Sequence, residues 1–315
     1  MSTSLSRSMS PERQQDRPER RTEVVAVAIE PDVPAGQAVR WAAREAARRK
    51  AHLHVVLPND ERRDRLSRDA FARTLSAARR TAPGVVISAA PDTAPTLRAE
   101  LVASAESDLL VVAAAASHLD ELIMKAFCPV VVVPDAPPAA RTVSGVDAFA
   151  HPDDTTPVVL AVGPSTPDEV LAFGFTQASE RHAGLLAVRT WNDPFTGLAA
   201  LVPDRIACWD AADDDVRAEL DQQLSAYTVA YPEVSVHTLV VKDRCAELLA
   251  TLAHGARLIV LGAPARGRAL NAISRSPALA LAHNVPCAVA VVPVPSPIHR
   301  GWLPTRPVGL ADLCT

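Results

Sequence analysis

The chain reads as an α/β protein built from two tandem, doubly wound parallel-sheet units, and three observations carry that expectation. The same series of signals occurs twice along the 315 residues. Within each series, short β-branched, continuously apolar runs alternate with Ala-rich helical stretches, as buried parallel strands alternate with crossover helices. Each series closes on an apolar run that starts at a cysteine and ends at a proline with the same spacing, CPVVVVP (128–134) and CAVAVVP (287–293). With 48% of residues apolar, two units of this size can each bury a core.

In chain order, residues 1–22 are polar, without apolar periodicity, and are expected to stay disordered. The first unit, 23–134, opens with VVAVAIEP (24–31). It continues through the helical stretch AVRWAAREAARRK (38–50), the strand LHVVL (53–57), the helical stretch TLRAELVASA (96–105) and the strand SDLLVV (107–112). Residues 135–156, rich in Pro, Ala and Asp, read as a linker. The second unit, 157–294, repeats the series as PVVLAVGP (157–164), VLAFGFTQASERH (170–182), LLAVRTW (185–191), AELLATLAHG (246–255) and ARLIVL (256–261). Residues 295–315, with PIHRGWLPTRPVG, read as an irregular tail.

Composition removes several classes of function. A net charge of −4 and a pI near 6.1 give no basic surplus for nucleic acid. The five cysteines are odd in number and never spaced C-x-x-C, which fits neither a disulfide framework nor a zinc site. Cys128 and Cys287, at strand starts, read as small hydrophobes; Cys314 reads as exposed and oxidisable. No apolar run is long enough to span a membrane, and the first residues lack a secretory pattern, so a cytoplasmic location is expected. The nine histidines have no ligand spacing, and no nucleophile elbow is present, so no catalytic or metal-binding residue is expected.

The informative segment is LIVLGAPARGRALNAISRSPALALAHNVPCAVAVV (258–292), a strand, a Gly-bearing loop, a helix and a last strand. With the repeated strand and helix pattern, it resembles the universal stress protein family, of adenine nucleotide alpha hydrolase-like fold. ATP-binding members of that family carry Gly-x2-Gly-x9-Gly-Ser/Thr here, and backbone amides of the loop and of the next helix hold the phosphates. Mapped onto this sequence, the first glycine is Gly262, the second is replaced by Ala265, the third by Arg275, and the closing position is Ser276. The acidic residue that the family carries after its first strand corresponds to Glu30 in copy one and to Gly163 in copy two. From Asp108 to Cys128 copy one spans 20 positions, against 30 from Arg257 to Cys287 in copy two, and the missing ten include the whole phosphate loop. The resemblance further implies that the final strands pair. That gives an internal pseudo-dimer within the chain and a homodimer through final strands as the expected mode of association, with an unknown protein partner.

The expected function is therefore a regulatory or scaffold protein, with nucleotide binding lost in copy one and weakened or altered in copy two. Candidate ligand contacts in copy two are Gly163, Ser165, Arg189, Trp191, Gly262, Ala265, Arg266, Gly267, Arg268, Arg275 and Ser276, and Glu30 is the remnant in copy one. Any cofactor would be ATP or another adenine nucleotide in copy two. The arginines read either as a phosphate clamp or as solvated surface charge. An alternative expectation is that the copy-two pocket is refitted for a different anionic small molecule, since Gly163 and Arg275 shift it toward positive potential.

Overall fold

A computed structural model gives the architecture, and it describes residues 22–30, 33–58, 64–92, 96–135, 156–191, 205–242, 244–264, 276–284 and 286–293. Both expected tails and most of the expected linker lie outside these residues. Copy one comprises β1 (Val24–Ala28), α1 (Gly36–Arg49), β2 (His52–Pro58), α2 (Asp64–Thr81), β3 (Ile87–Asp92), α3 (Thr96–Glu106), β4 (Leu109–Ala113), α4 (Leu119–Lys125) and β5 (Val130–Val133). Copy two comprises β6 (Val158–Ala161), α5 (Asp168–Glu180), β7 (Leu185–Trp191), α6 (Arg205–Ala230), β8 (Val236–Lys242), α7 (Cys245–Leu252), β9 (Leu258–Gly262), α8 (Pro277–Asn284) and β10 (Ala288–Val292).

All ten strands join one sheet in the order β3-β2-β1-β4-β5-β10-β9-β6-β7-β8. Pairing is parallel within each copy and antiparallel only at the joint, where Val132, Val131 and Val130 face Val289, Ala290 and Val291. The carboxyl ends of the strands, where such folds bind ligands, therefore open at opposite ends of the sheet in the two copies. Both final strands are enclosed by neighbours, and among the described residues the outermost strands of the sheet are β3 and β8.

Helices cover both faces, which explains why the central strands are apolar throughout: β4, β5 and β10 are buried at every position. One core layer lies under α1, α2, α5 and α6 and runs continuously through both copies. The other lies under α3, α4, α7 and α8 and also crosses the joint. The copies superpose in register: strand pairs Val25–Leu53 and Val158–Leu185 coincide. A left-handed residue follows each of α1 and α5, 132 positions apart: Lys50 (φ 55°) at the C-cap of α1 and His182 (φ 49°) just after Arg181, the C-cap of α5. The final strands align through Cys128 and Cys287, and on that alignment the paired residues Val131 and Ala290 correspond and lie on a pseudo-two-fold axis.

Candidate functional site

In copy one, Glu30 follows β1 at the carboxyl end of the sheet, where the acidic remnant was expected. Its carboxylate is already engaged: Oε1 accepts the Ser117 backbone N–H at 2.8 Å, and Oε2 accepts the Ser117 hydroxyl. Ser117 sits in the short connection 114–118 between β4 and α4. That connection is held down by bonds from Ala114 N–H to Val133 C=O (2.9 Å) and from Ala116 N–H to Ala113 C=O (3.1 Å). The connection is thus a tight turn latched to the acid.

Beneath this latch lies a group that the sequence reading passed over. Glu100 on α3 is 1% exposed, and its Oε2 has no hydrogen-bond partner among the described residues. Burial, with the nearby Glu30 carboxylate adding to it, pushes its carboxyl up to about 8, so the group is largely protonated at neutral pH. The register of β4 and β9 places Leu249 at the same point of copy two, fully buried. A signal was therefore present in the sequence, as a Glu aligned with a core Leu.

Copy one also holds a cavity of about 750 Å³ between the end of β1, the start of α1 and one face of α2. Ile29 and Val39 contribute apolar lining, and Arg73, Ser76 and Arg80 line it from α2. The segments Ala82-Pro83-Gly84-Val85 and Tyr231-Pro232-Glu233-Val234 align the two copies here, so Thr74 and Ala78 replace Gln223 and Tyr227. In copy two those long side chains cross the equivalent space. Gln223 donates to Thr166 C=O (3.5 Å) and Tyr227 to Asp168 C=O (3.1 Å), and Tyr227 stacks on Phe175 at 5.4 Å.

The copy-two candidates fall into two groups. Gly163, after β6, and Gly262, ending the adjacent β9, both lie at the carboxyl end of the sheet, and Ser276 precedes α8 there. The Gly163 N–H donates to Thr166 Oγ1 at 2.7 Å, and the neighbouring Ser165 is exposed. A Cβ on Gly262 would lie 3.3 Å from Val170 Cγ2, so this residue passes close against α5. Ser276 accepts the Ala280 N–H on its carbonyl, at 3.2 Å, as α8 begins. Arg189 and Trp191 form the second group, on β7 under α6. Arg189 is 4% exposed and donates to Glu219 at 2.7 Å, while the Trp191 indole N–H donates to Asp213. Their polar groups are thus committed to α6. Ala265, Arg266, Gly267, Arg268 and Arg275 lie outside the described residues. Among the described residues no cluster of three or more His, Cys, Asp or Glu could hold a metal ion, and no helix is long and apolar enough to cross a membrane.

Residues 155–293 match the sequence profile of the universal stress protein family. Over 269 residues the chain is 26% identical to universal stress protein Rv2623 of Mycobacterium tuberculosis (strain H37Rv), covering 75% of this chain and 85% of that protein. It is 31% identical over 183 residues to universal stress protein Rv1996 of the same strain, covering 55% and 52%. Among solved structures, a universal stress protein from Archaeoglobus fulgidus matches with a TM-score of 0.56 at 12% identity, covering 86% of this chain and 96% of that one. A putative universal stress protein from Pseudomonas aeruginosa UCBPP-PA14 matches at 0.54 and 16% identity, covering 86% and 93%.

Proposed function

Because the chain belongs to the universal stress protein family, we propose that it is a non-catalytic regulatory or scaffold protein acting in the cytoplasm through a bound partner or small ligand. Nucleotide binding is lost in copy one and weakened in copy two. The observation that carries this reading is the latch between Glu30 and Ser117: the acid that would face a ribose is spent on the chain's own backbone and hydroxyl. Opening the latch would leave the carboxylate to be re-paired by the ligand, and the five-residue connection offers too few amides to surround a triphosphate.

A second reading, refitting of copy two for another anionic small molecule, is favoured by Gly163. Where copy one has the Glu30 carboxylate after its first strand, copy two has Gly163, so an anion approaching Gly262 and Ser276 meets no side-chain carboxylate at that position.

Thermal shift of the full chain with magnesium-ATP, ADP, cyclic AMP and a panel of phosphorylated metabolites separates these readings. A ligand present at a hundred times its Kd stabilises the folded state by about 2.7 kcal/mol, a displacement of several degrees. The scaffold reading expects no nucleotide to reach that shift at millimolar concentration. Strong stabilisation by ATP, abolished in Gly262→Trp, would show that the copy-two loop is intact in function. ATP stabilisation that survives Gly262→Trp would show that copy one still binds nucleotide. A shift confined to one of the other phosphorylated metabolites supports the refitted pocket.

A further inference from the structure

On the α1/α5 face the pseudo-two-fold axis passes between Glu45 and Gln177, which are 132 positions apart like the two helix ends. The contacts around this pair exchange between copies. Arg181 of α5's C-cap stacks over Trp41 of α1 at 5.5 Å, and Arg49 of α1 stacks over Phe173 of α5 at 5.9 Å. Under the same register Arg181 corresponds to Arg49, and Phe173 to Trp41. The geometry is that of an isologous dimer interface enclosed in a single chain.

The charges do not follow the symmetry. Glu45 is fully buried; its Oε1 accepts Arg49 Nε at 2.8 Å and Gln177 Nε2 at 3.4 Å, and its Oε2 accepts Arg181 Nη2 at 2.8 Å and also pairs with Arg48. On the opposite side, where copy one has Glu45 and Arg48, copy two has Gln177 and Glu180, and Arg49 lies 3.7 Å from Glu180. Burial would raise the Glu45 pKa, but Arg181, Arg49 and Arg48 together outweigh it and hold it below the ordinary carboxylate value. Burial lowers Arg181 to about 10, which leaves it cationic at neutral pH.

We propose that the α1 face of copy one is specified to pair with the α5 face of copy two and to reject a second copy of itself. Under the same two-fold, a second copy-one face would set Glu45 against another Glu45, where the Gln177 amide now donates. It would also set Arg49 against another Arg48, where Glu180 now lies. The Glu45–Glu45 contact falls in a desolvated interior, where the Glu45, Arg181 and Arg49 side chains are 0%, 3% and 9% exposed, whereas the Arg49–Arg48 contact lies at its margin, the Arg48 side chain being 31% exposed. In that interior, mispaired charge is far more costly than at a surface. The specification is one-sided: two copy-two faces would bring Gln177 to Gln177 and Arg181 to Glu180, without a like-charge contact. The partner that fits copy one is therefore a face with a neutral donor at the axis and an acid three residues on.

Thermal unfolding of four full-length chains tests this: wild type, Glu45→Gln, Gln177→Glu and the double exchange. Glu45→Gln alone is expected to lower the Tm by about 4 °C or more, because two buried arginines lose their shared carboxylate. Gln177→Glu is expected to lower it as well, by setting a second carboxylate against Glu45 at the axis and against Glu180, to which Gln177 Nε2 now donates at 3.2 Å. In the Gln177→Glu background Glu45→Gln should instead raise the Tm, since one carboxylate then serves both arginines again. That reversal of sign supports the proposal. Equal losses from Glu45→Gln in the two backgrounds overturn it. If Gln177→Glu yields no soluble protein, recovery of the folded double exchange supports the proposal and its failure overturns it.

Discussion

Gly174 offers a steric test of how closely each copy fits its own core. A Cβ at this α5 position would lie 2.8 Å and 3.0 Å from the two Cδ atoms of Leu160 and 3.3 Å from its Cγ. Leu160 is fully buried on β6, so its side chain has little room to turn away. In an open helix Gly→Ala gains about 0.5–1 kcal/mol from reduced backbone entropy. Overpacking of a dense core costs about 1–3 kcal/mol. We therefore expect Gly174→Ala to destabilise by about 1–2 kcal/mol, with the steric cost exceeding the helix gain. Copy one occupies the same two positions with Ala42 and Val27, both fully buried, a smaller strand residue against a larger helix residue. Leu160→Val alone should cost about 1 kcal/mol through lost contacts. The double variant reproduces the copy-one solution, so it should fall within about 0.5 kcal/mol of wild type rather than at the sum. Thermal unfolding followed by circular dichroism measures all four chains. Gly174→Ala at or above wild-type stability, or strictly additive losses, would refute the steric argument.

Further outcomes follow from groups that the sheet encloses. The Glu100 carboxyl, raised from 4.5 to about 8, holds a proton in the fold that the unfolded chain has already released. Its contribution is therefore complete below pH 4.5 and is lost as pH rises toward 8, with a ceiling of about 5 kcal/mol. Glu100→Leu, the copy-two solution, should flatten that decline in urea midpoints measured at pH 5.5 and 8.5; parallel profiles for variant and wild type would count against the assignment. Burial raises the thiol pKa of both Cys128 and Cys287, the latter to about 12. Iodoacetamide at pH 8 should leave both peptides unmodified until denaturant is added, as mapped by mass spectrometry, and an adduct on either in the native protein would contradict that burial. The exposed pair between His283 Nε2 and Asp120 Oδ1, 2.8 Å across the joint, should contribute little: His283→Ala is expected to shift stability by no more than about 0.5 kcal/mol, and a larger loss would mark it as structural.

The sequence revealed the central strands because they are buried on both faces and so form unbroken apolar runs. The edge strands were not visible this way. In β8 most residues are only half-buried and polar ones interrupt the run, and β3 has exposed residues at its start, as strands with one open edge do. Helices α2, α4 and α6 were also passed over, α4 because it lies within a segment read only as a shortened connection. The pairing of the final strands was anticipated from the resemblance and is seen at Val131 and Ala290. Motif spacing correctly located Gly163, Gly262 and Glu30 at strand ends, because spacing fixes position along a strand. It could not show that Arg189 is neutralised by Glu219, thirty residues later, or that Ser117 reaches Glu30 across 87 positions. Nor could it show the axis, since Glu45, Arg48 and Arg49 look in isolation like an ordinary solvated helix face.

That axis bears on why the two halves differ where they do. The joint is made by residues near the middle of the sheet: β5, β10, α1 and α5 pack around Val131, Ala290, Glu45 and Gln177, and the core layers run through them without a break. The carboxyl ends of the strands lie away from the axis and open at opposite ends of the sheet in the two copies. Copy one has a short connection between β4 and α4 that latches Glu30 to Ser117, and β4 and β5 keep their parallel register beside β10. Copy two has Gly163 at the corresponding strand end, and Gln223 and Tyr227 of α6 hold the entry to α5 through Thr166 C=O and Asp168 C=O. The exchanged Arg–aromatic contacts and the buried Glu45 carboxylate mark the part of the molecule where the copies depend on each other. Divergence is therefore expected to be tolerated at the strand ends and penalised at Glu45, Arg49, Gln177 and Arg181.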